Sequence, residues 1–313
     1  MTIDRKLINW LLKTDPKVDS HTIKTWKSEL SRIGHEWDQP YQRAVVGGFL
    51  SERLAFTFLS GYRAALQEMV PELSADRQPA FCVTEEGGNR PRNIQSKLTP
   101  VSDREGESKQ WVLTGSKTFI TAAEEADSVF VAASAGVSGD GRNAIKLVYL
   151  DMNSSGIKVH PMNPIPFIPE VTHGSVVFDN VIVAEDQILK GDGYSDYVKP
   201  FRYLEEIHVF SAVLGMLVGV SRRWNWPEEI TEKLIAMIVT ASVLAPTDPQ
   251  SIEAHIAFGG FHNQLSQLIQ ELEDYLAKTP KAFFQAWKRD QQVFLIAHAA
   301  RKKRLENARE AFN

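Results

Sequence analysis

Phe81-Cys82-Val83-Thr84-Glu85-Glu86-Gly87-Gly88, Trp111-Val112-Leu113-Thr114-Gly115-Ser116-Lys117-Thr118-Phe119-Ile120-Thr121 and Ala126-Asp127-Ser128-Val129-Phe130-Val131-Ala132 set the character of the middle of the chain. They are short β-branched and aromatic runs punctuated by Gly, Asn, Asp and Pro, the composition of strands joined by turns. The texture continues outward through Ile145 to Leu150, Gly156 to Val159 and Ser175 to Phe178. Turn clusters at Gly87-Gly88-Asn89, Gly139-Asp140-Gly141 and Asn153-Ser154-Ser155-Gly156 separate these runs. Many short strands at this spacing predict an antiparallel barrel or sandwich over residues 79–187.

On either side the period changes. Residues 1–78 read as helices, with Leu7, Trp10 and Leu11, then Trp26 and Leu30, at helical spacing. A further stripe, Phe49, Leu50, Leu54, Phe58, Tyr62, Leu66 and Met69, stops at Pro71. From about residue 196 the chain is predicted helical to its end. Asp196 is placed to cap a helix carrying Phe201, Leu204, Ile207, Phe210, Leu214 and Leu217. Gly215 and Gly219 share one face of that helix and permit close approach of a neighbour. Further helices are predicted over Thr231 to Val243, Ile252 to Leu276 and Phe283 to Phe312. The fold class is therefore α+β: N-terminal helices (1–78), a central β-domain (79–187) and a C-terminal helical bundle (188–313).

Composition narrows the function. The 313 residues are 43% apolar and 24% charged with a net charge of −4, ordinary for a soluble globular protein and unsuited to nucleic acid. The basic run Arg301-Lys302-Lys303-Arg304 lies in a helical pattern and reads as a solvated face. The single cysteine, Cys82, excludes an internal disulfide and reads as a buried structural thiol. No metal-ligand spacing occurs among the eight histidines. The start, Met1-Thr2-Ile3-Asp4-Arg5-Lys6, is not a signal segment, and the apolar run Val209 to Val220 is too short to span a bilayer. A cytoplasmic protein is expected.

The three central motifs, in this order, resemble the β-domain of the acyl-CoA dehydrogenase family. There a Cys/Leu-x-Thr-Glu strand end, a Leu-x-Gly-x-Lys-x-(Trp/Phe)-Ile-Thr segment and an Ala-Asp strand form the wall that faces the flavin. Gly156-Ile157-Lys158-Val159 and Val177-Phe178-Asp179-Asn180-Val181-Ile182-Val183 resemble the last two β-segments of that domain, Ala184 replacing the usual proline. The resemblance implies the family's helix–sheet–helix architecture, with both helical domains shortened. It implies FAD as cofactor, with Cys82, Thr84, Gly87, Phe119 and Thr121 at the flavin. The activity implied is α,β-dehydrogenation of an acyl thioester such as an acyl-CoA, in fatty acid metabolism, by a homo-oligomer that passes electrons to a partner protein. The base implied is Glu205, ten residues before Gly215, the position used by isovaleryl- and long-chain-type members. A carboxylate in an apolar acyl pocket would have the raised pKa that proton abstraction near neutral pH favours.

The chain also departs from that pattern. The family loop Pro-Gly-x-Gly-Ser-Asp is here Glu86-Gly87-Gly88-Asn89-Arg90-Pro91, without the serine and aspartate. Gly87 and Gly88 retain backbone N–H groups to offer, and Arg90 and Arg92 read as solvated loop charges. The Arg-x-x-Phe-Gly and Gly-Gly-x-Gly segments that hold the adenosine-diphosphate half of FAD have no counterpart, since Ser221-Arg222-Arg223 runs on to Trp224-Asn225-Trp226-Pro227. His208, near Glu205, reads as a packed core residue. These losses keep open a second reading: a family-derived binding or assembly subunit without bound flavin.

Overall fold

The computed structural model describes residues 3–17, 22–101, 109–295 and 297–312. Met1 and Thr2 of the N-terminal reading, and Ile296 within the last predicted helix, lie outside the described residues. The chain divides into two compact units: residues 1–76, 166–170 and 201–313 form a helical unit, and residues 77–165 and 171–200 a β unit.

The helical unit begins with α1 (Arg5–Lys13), α2 (Ile23–Gly34), α3 (Pro40–Phe49) and α4 (Leu54–Met69). The Phe49-to-Met69 stripe is not one helix. It breaks at Leu50, and the backbone amides of Leu50 and Ser51 fold back onto carbonyls of α3. Later come α5 (Lys199–Arg223), α6 (Glu228–Leu244), α7 (Ile252–Glu271), α8 (Glu273–Leu276), α9 (Lys281–Asp290) and α10 (His298–Glu310). The run predicted from Ile252 to Leu276 is thus two helices. That from Phe283 to Phe312 divides at a 3₁₀ turn over Gln291–Leu295.

The long helix α5 passes through the core of this unit. By length and composition Gly193–Arg223 is apolar enough to cross a membrane, but 94% of its apolar window is buried within the protein. Small residues let α3 lie directly against it. A Cβ on Gly48 would stand 1.8 Å from the Ala212 carbonyl oxygen, and one on Gly215 would stand 2.0 Å from that of Val45. Both obstacles are backbone atoms and cannot rotate away. Gly215→Ala is therefore expected to force the two helices apart and cost about 3 kcal/mol, the upper part of the overpacking range. A urea midpoint lower than that of the wild type would register it. Around α5 the rings of Tyr203, Phe210 and Phe258 pack together, and the Tyr203 hydroxyl donates to the Leu244 carbonyl at 2.9 Å.

Asp196 does not cap α5. Asp192 accepts from the amides of Tyr194 and Ser195 and starts a π-helical turn over Gly193–Val198 that runs into α5. Asp196 instead accepts from the Asp192 amide at 2.9 Å. Both acids lie in the same short segment, and the sequence pattern alone does not separate them.

The β unit contains β1 (Pro79–Cys82), β2 (Lys97–Pro100), β3 (Gln110–Thr121), β4 (Ser128–Val137), β5 (Asn143–Asp151), β6 (Ile157–Pro161) and β7 (His173–Ala184). They form one seven-stranded sheet in the order β1-β4-β2-β3-β7-β6, with β5 on β4. The ladders β2–β3, β3–β7, β4–β5 and β6–β7 are antiparallel, while β1 and β2 pair with β4 in parallel. Alternate residues of β3, β4 and β7 fill one apolar core: Leu113 and Ile120, Val129 and Val131, Val176, Phe178, Val181 and Val183. β2, too short for periodicity to reveal, is the strand that sequence reasoning missed.

Candidate functional site

In the β unit the residues of interest lie where β1 ends and β3 bulges. Chain extension stops after Cys82, and the Thr84 carbonyl accepts from the Thr118 amide at 2.8 Å. This bond brings the first and second motifs together. Between Lys117 and Ile120 the β3–β7 register slips, so three steps on β3 face two on β7. Phe119 sits in this bulge at φ 54°, a left-handed conformation that a bulky side chain rarely adopts. The residue is 63% exposed, unusual for a phenylalanine in a well-packed strand. Thr84 and Thr121 are half-buried, and Thr121 pairs with His173 of β7.

Cys82 is the last residue of β1. Its thiol is buried in the sheet core, and burial pushes its pKa up to about 12. A contact with a ligand at this position is thus left to the backbone. The glycine loop is also partly committed. Glu85 and Gly88 exchange backbone hydrogen bonds at 3.2 and 2.8 Å, so the Gly88 N–H is not available, and Gly88 adopts φ 104°. Gly87 is exposed, with its carbonyl accepting from Asn93 Nδ2. The Asn143 amide fixes the loop from β5 by donating to the Pro91 and Ile94 carbonyls. Arg90 and Arg92 are exposed.

Glu85 and Lys117 form the feature that sequence reasoning passed over. The Lys117 ammonium is fully buried, 2.6 Å from Glu85 Oε1 and 2.6 Å from the Ala132 carbonyl. Glu85 also accepts from the amides of Gln95 and Ser96 and from the Ser96 hydroxyl. Burial works against the charge of Glu85, but Lys117 and these amides outweigh it and hold the carboxyl below its ordinary value. Burial likewise lowers the Lys117 pKa against the pull of Glu85. The signal was present in the sequence as an acid in the Thr-Glu motif and a base in the Gly-x-Lys motif. Only the fold shows that both point inward.

In the helical unit, Glu205 lies on α5 with its side chain 18% exposed and Arg202 Nη1 at 3.5 Å. Burial raises its pKa, Arg202 pulls it down, and neighbouring Glu206 pushes it further up. Glu206 points elsewhere. It is buried and engaged by both Arg301 and Arg304 of α10, which removes it from the list of free bases. Those arginines belong to the run read as a solvated face. Arg301 is itself buried, with its guanidinium over the Phe210 ring. His208 is fully buried, its Nδ1 2.8 Å from the Leu204 carbonyl and its Nε2 3.7 Å from Glu68. Among the described residues, no group of three or more His, Cys, Asp or Glu is placed to hold a metal.

The raised pKa of Glu205 has a consequence for stability. A carboxyl that binds its proton more tightly when folded favours folding at low pH, and this contribution is lost as pH rises from the unfolded value of 4.5 through the folded one. Glu205→Gln is therefore expected to be more stable than the wild type at pH 8. The difference should shrink toward zero near pH 4, as thermal unfolding across pH would show.

Arg222 and Arg223 are occupied at the other end of α5. Arg222 Nη1 donates to the Leu11 and Thr14 carbonyls at the end of α1, and Arg223 Nε donates to that of Pro16 at 2.8 Å. Gly259 and Gly260 lie inside α7, where a Cβ on Gly259 would stand 2.9 Å from the Leu305 side chain.

Comparison with known proteins agrees with this architecture. The family description "Acyl-CoA dehydrogenase, middle domain" matches residues 80–181. No curated protein matches the chain. Among solved structures, the FMN-bound TdsC of Paenibacillus sp. A11-2 is 15% identical with a TM-score of 0.69, covering 96% of this chain and 94% of that one. Butyryl-CoA dehydrogenase from Megasphaera elsdenii is 15% identical with a TM-score of 0.65, covering 97% and 94%. Glutaryl-CoA dehydrogenase from Mycobacterium smegmatis is 11% identical with a TM-score of 0.63, covering 96% and 92%. At these identities the likeness is one of fold. Residues 80–181 thus match the acyl-CoA dehydrogenase middle domain, and nearly the whole chain has a fold like that of acyl-CoA dehydrogenases.

Proposed function

We propose that the protein is a flavin-dependent oxidoreductase of the acyl-CoA dehydrogenase type, acting on an acyl thioester. The observation that carries this reading is Phe119: an aromatic residue, 63% exposed, in a left-handed bulge beside the Thr118–Thr84 hydrogen bond. Strained backbone presenting an aromatic surface is characteristic of a ligand-binding position. The donor set suits a flavin: a flat ring to stack against, with the hydroxyls and backbone of Thr84 and Thr121 to meet its polar edge. When bound, the flavin supplies the two-electron acceptor. The protein supplies the base. Glu205 removes the α-proton, and burial gives its carboxylate more basicity than an exposed one has.

One observation favours a different cofactor reach. Arg222 and Arg223 are tied to carbonyls in and just after α1, and Gly259 is packed inside a helix. Arg222, with Nη1 on two carbonyls, is committed within the helical unit and not to the adenosine-diphosphate half of FAD. This supports either FMN, which TdsC binds, or the alternative of a binding or assembly subunit without flavin. Acyl-CoA as substrate, an electron-transfer partner, a homo-oligomer and a cytoplasmic location belong to the same proposal.

The test is reconstitution of flavin-free protein with FAD or FMN, followed by gel filtration and a visible spectrum. Retention of either flavin supports the oxidoreductase, and the better-retained one identifies the cofactor. Loss of both contradicts it in favour of the non-catalytic subunit.

A further inference from the structure

β7 pairs with Lys117 and Ile120 on either side of the bulge that presents Phe119, but the register slip gives Thr118 and Phe119 themselves no register partner on that strand. The bulged residues are held from the opposite side. The Thr118 amide bonds to the Thr84 carbonyl, and the preceding residue, Lys117, sends its side chain into the sheet. The ammonium has three protons and three acceptors: Glu85 Oε1 at 2.6 Å, the Ala132 carbonyl at 2.6 Å and the Val83 carbonyl at 3.4 Å. Glu85 in turn fastens Gln95 and Ser96. One buried ion pair thus joins the end of β1, the start of β2, β3 and β4. Thr84 precedes its acid, and Thr118 and Phe119 follow its base.

We infer that Glu85 and Lys117 are positioning residues, whose buried pair sets Thr84 and the Phe119 bulge in the geometry that receives a planar ligand. This rests on the flavin reading above. The pair touches no ligand and acts through its sequence neighbours. A pair serving stability alone would be replaceable by apolar side chains of similar volume, because a buried ion pair is frequently no more stabilising than such a substitute. A pair that positions the bulge would not be replaceable in that way, because apolar side chains restore packing without restoring the bonds to Val83, Ala132, Gln95 and Ser96.

The experiment is the double variant Glu85→Met/Lys117→Met, which leaves no unpaired charge, read in two ways. In ligand-free protein, hydrogen exchange of the Thr118 amide is expected to be at least tenfold faster than in the wild type, while β4–β5 amides keep their protection. Flavin affinity, measured by fluorescence quenching, is expected to fall at least tenfold. A folded double variant with wild-type Thr118 exchange, or with wild-type flavin affinity, overturns the inference. If the wild type itself binds no flavin, the oxidoreductase reading fails, and Thr118 exchange alone decides whether the pair holds the bulge. If the double variant does not fold, Ser96→Ala removes only the hydroxyl donor to Glu85 and takes its place. A two- to threefold change in Thr118 exchange is then expected, and no change overturns the inference.

Discussion

Glu205→Gln is expected to slow reduction of the bound flavin by an acyl-CoA between 10²- and 10⁴-fold, with flavin retention unchanged. The size follows from the usual contribution of a positioned general base. The isosteric amide keeps the shape of the residue and removes its ability to take a proton. Glu206 is the natural control, because it neighbours Glu205 but is held by Arg301 and Arg304. Glu206→Gln should weaken the attachment of α10 and lower stability, with a much smaller effect on the rate of flavin reduction. Equal losses of rate in the two variants would remove Glu205 as the base.

Lys117→Met is the second large effect, and it falls on stability. It leaves the Glu85 carboxylate buried among its remaining donors without a cation. Breaking a buried pair in this way costs about 3–5 kcal/mol, a large fraction of the stability of an ordinary domain. Acid should narrow the gap. The wild-type contribution of Glu85 is present above its unfolded pKa of 4.5 and is lost as pH falls through its lower folded value. Denaturant midpoints at pH 7 and pH 3.5 measure both effects. A variant as stable as the wild type at pH 7 would mean that Glu85 finds solvent when Lys117 is gone.

Much of this architecture can be read from the sequence because it depends on local period. Alternating apolar residues locate β3, β4, β5 and β7, and the helical stripe with its glycines places α5 against a neighbour. Legibility ends where the outcome depends on which of two similar residues wins. Asp192 caps while Asp196 does not, and Arg301 is buried while its neighbour Lys302 is exposed. Both distinctions are tertiary, since each residue type is equally compatible with its local pattern. The candidate site shows the same division. Thr84, Phe119 and Thr121 come from motif resemblance, and the sheet keeps them in one unit. The bulge that exposes Phe119 and the buried pair beneath it arise from strands distant in sequence. Arg222 and Arg223, which follow the helix register, give no sequence sign that carbonyls in and just after α1 claim them.

The most direct test of the central claim is an anaerobic visible titration of the flavin-reconstituted protein with acyl-CoAs of graded chain length. Bleaching of the flavin band in the wild type, and its loss in Glu205→Gln, is the result expected of an acyl thioester oxidoreductase. A retained flavin that no acyl-CoA bleaches would contradict it.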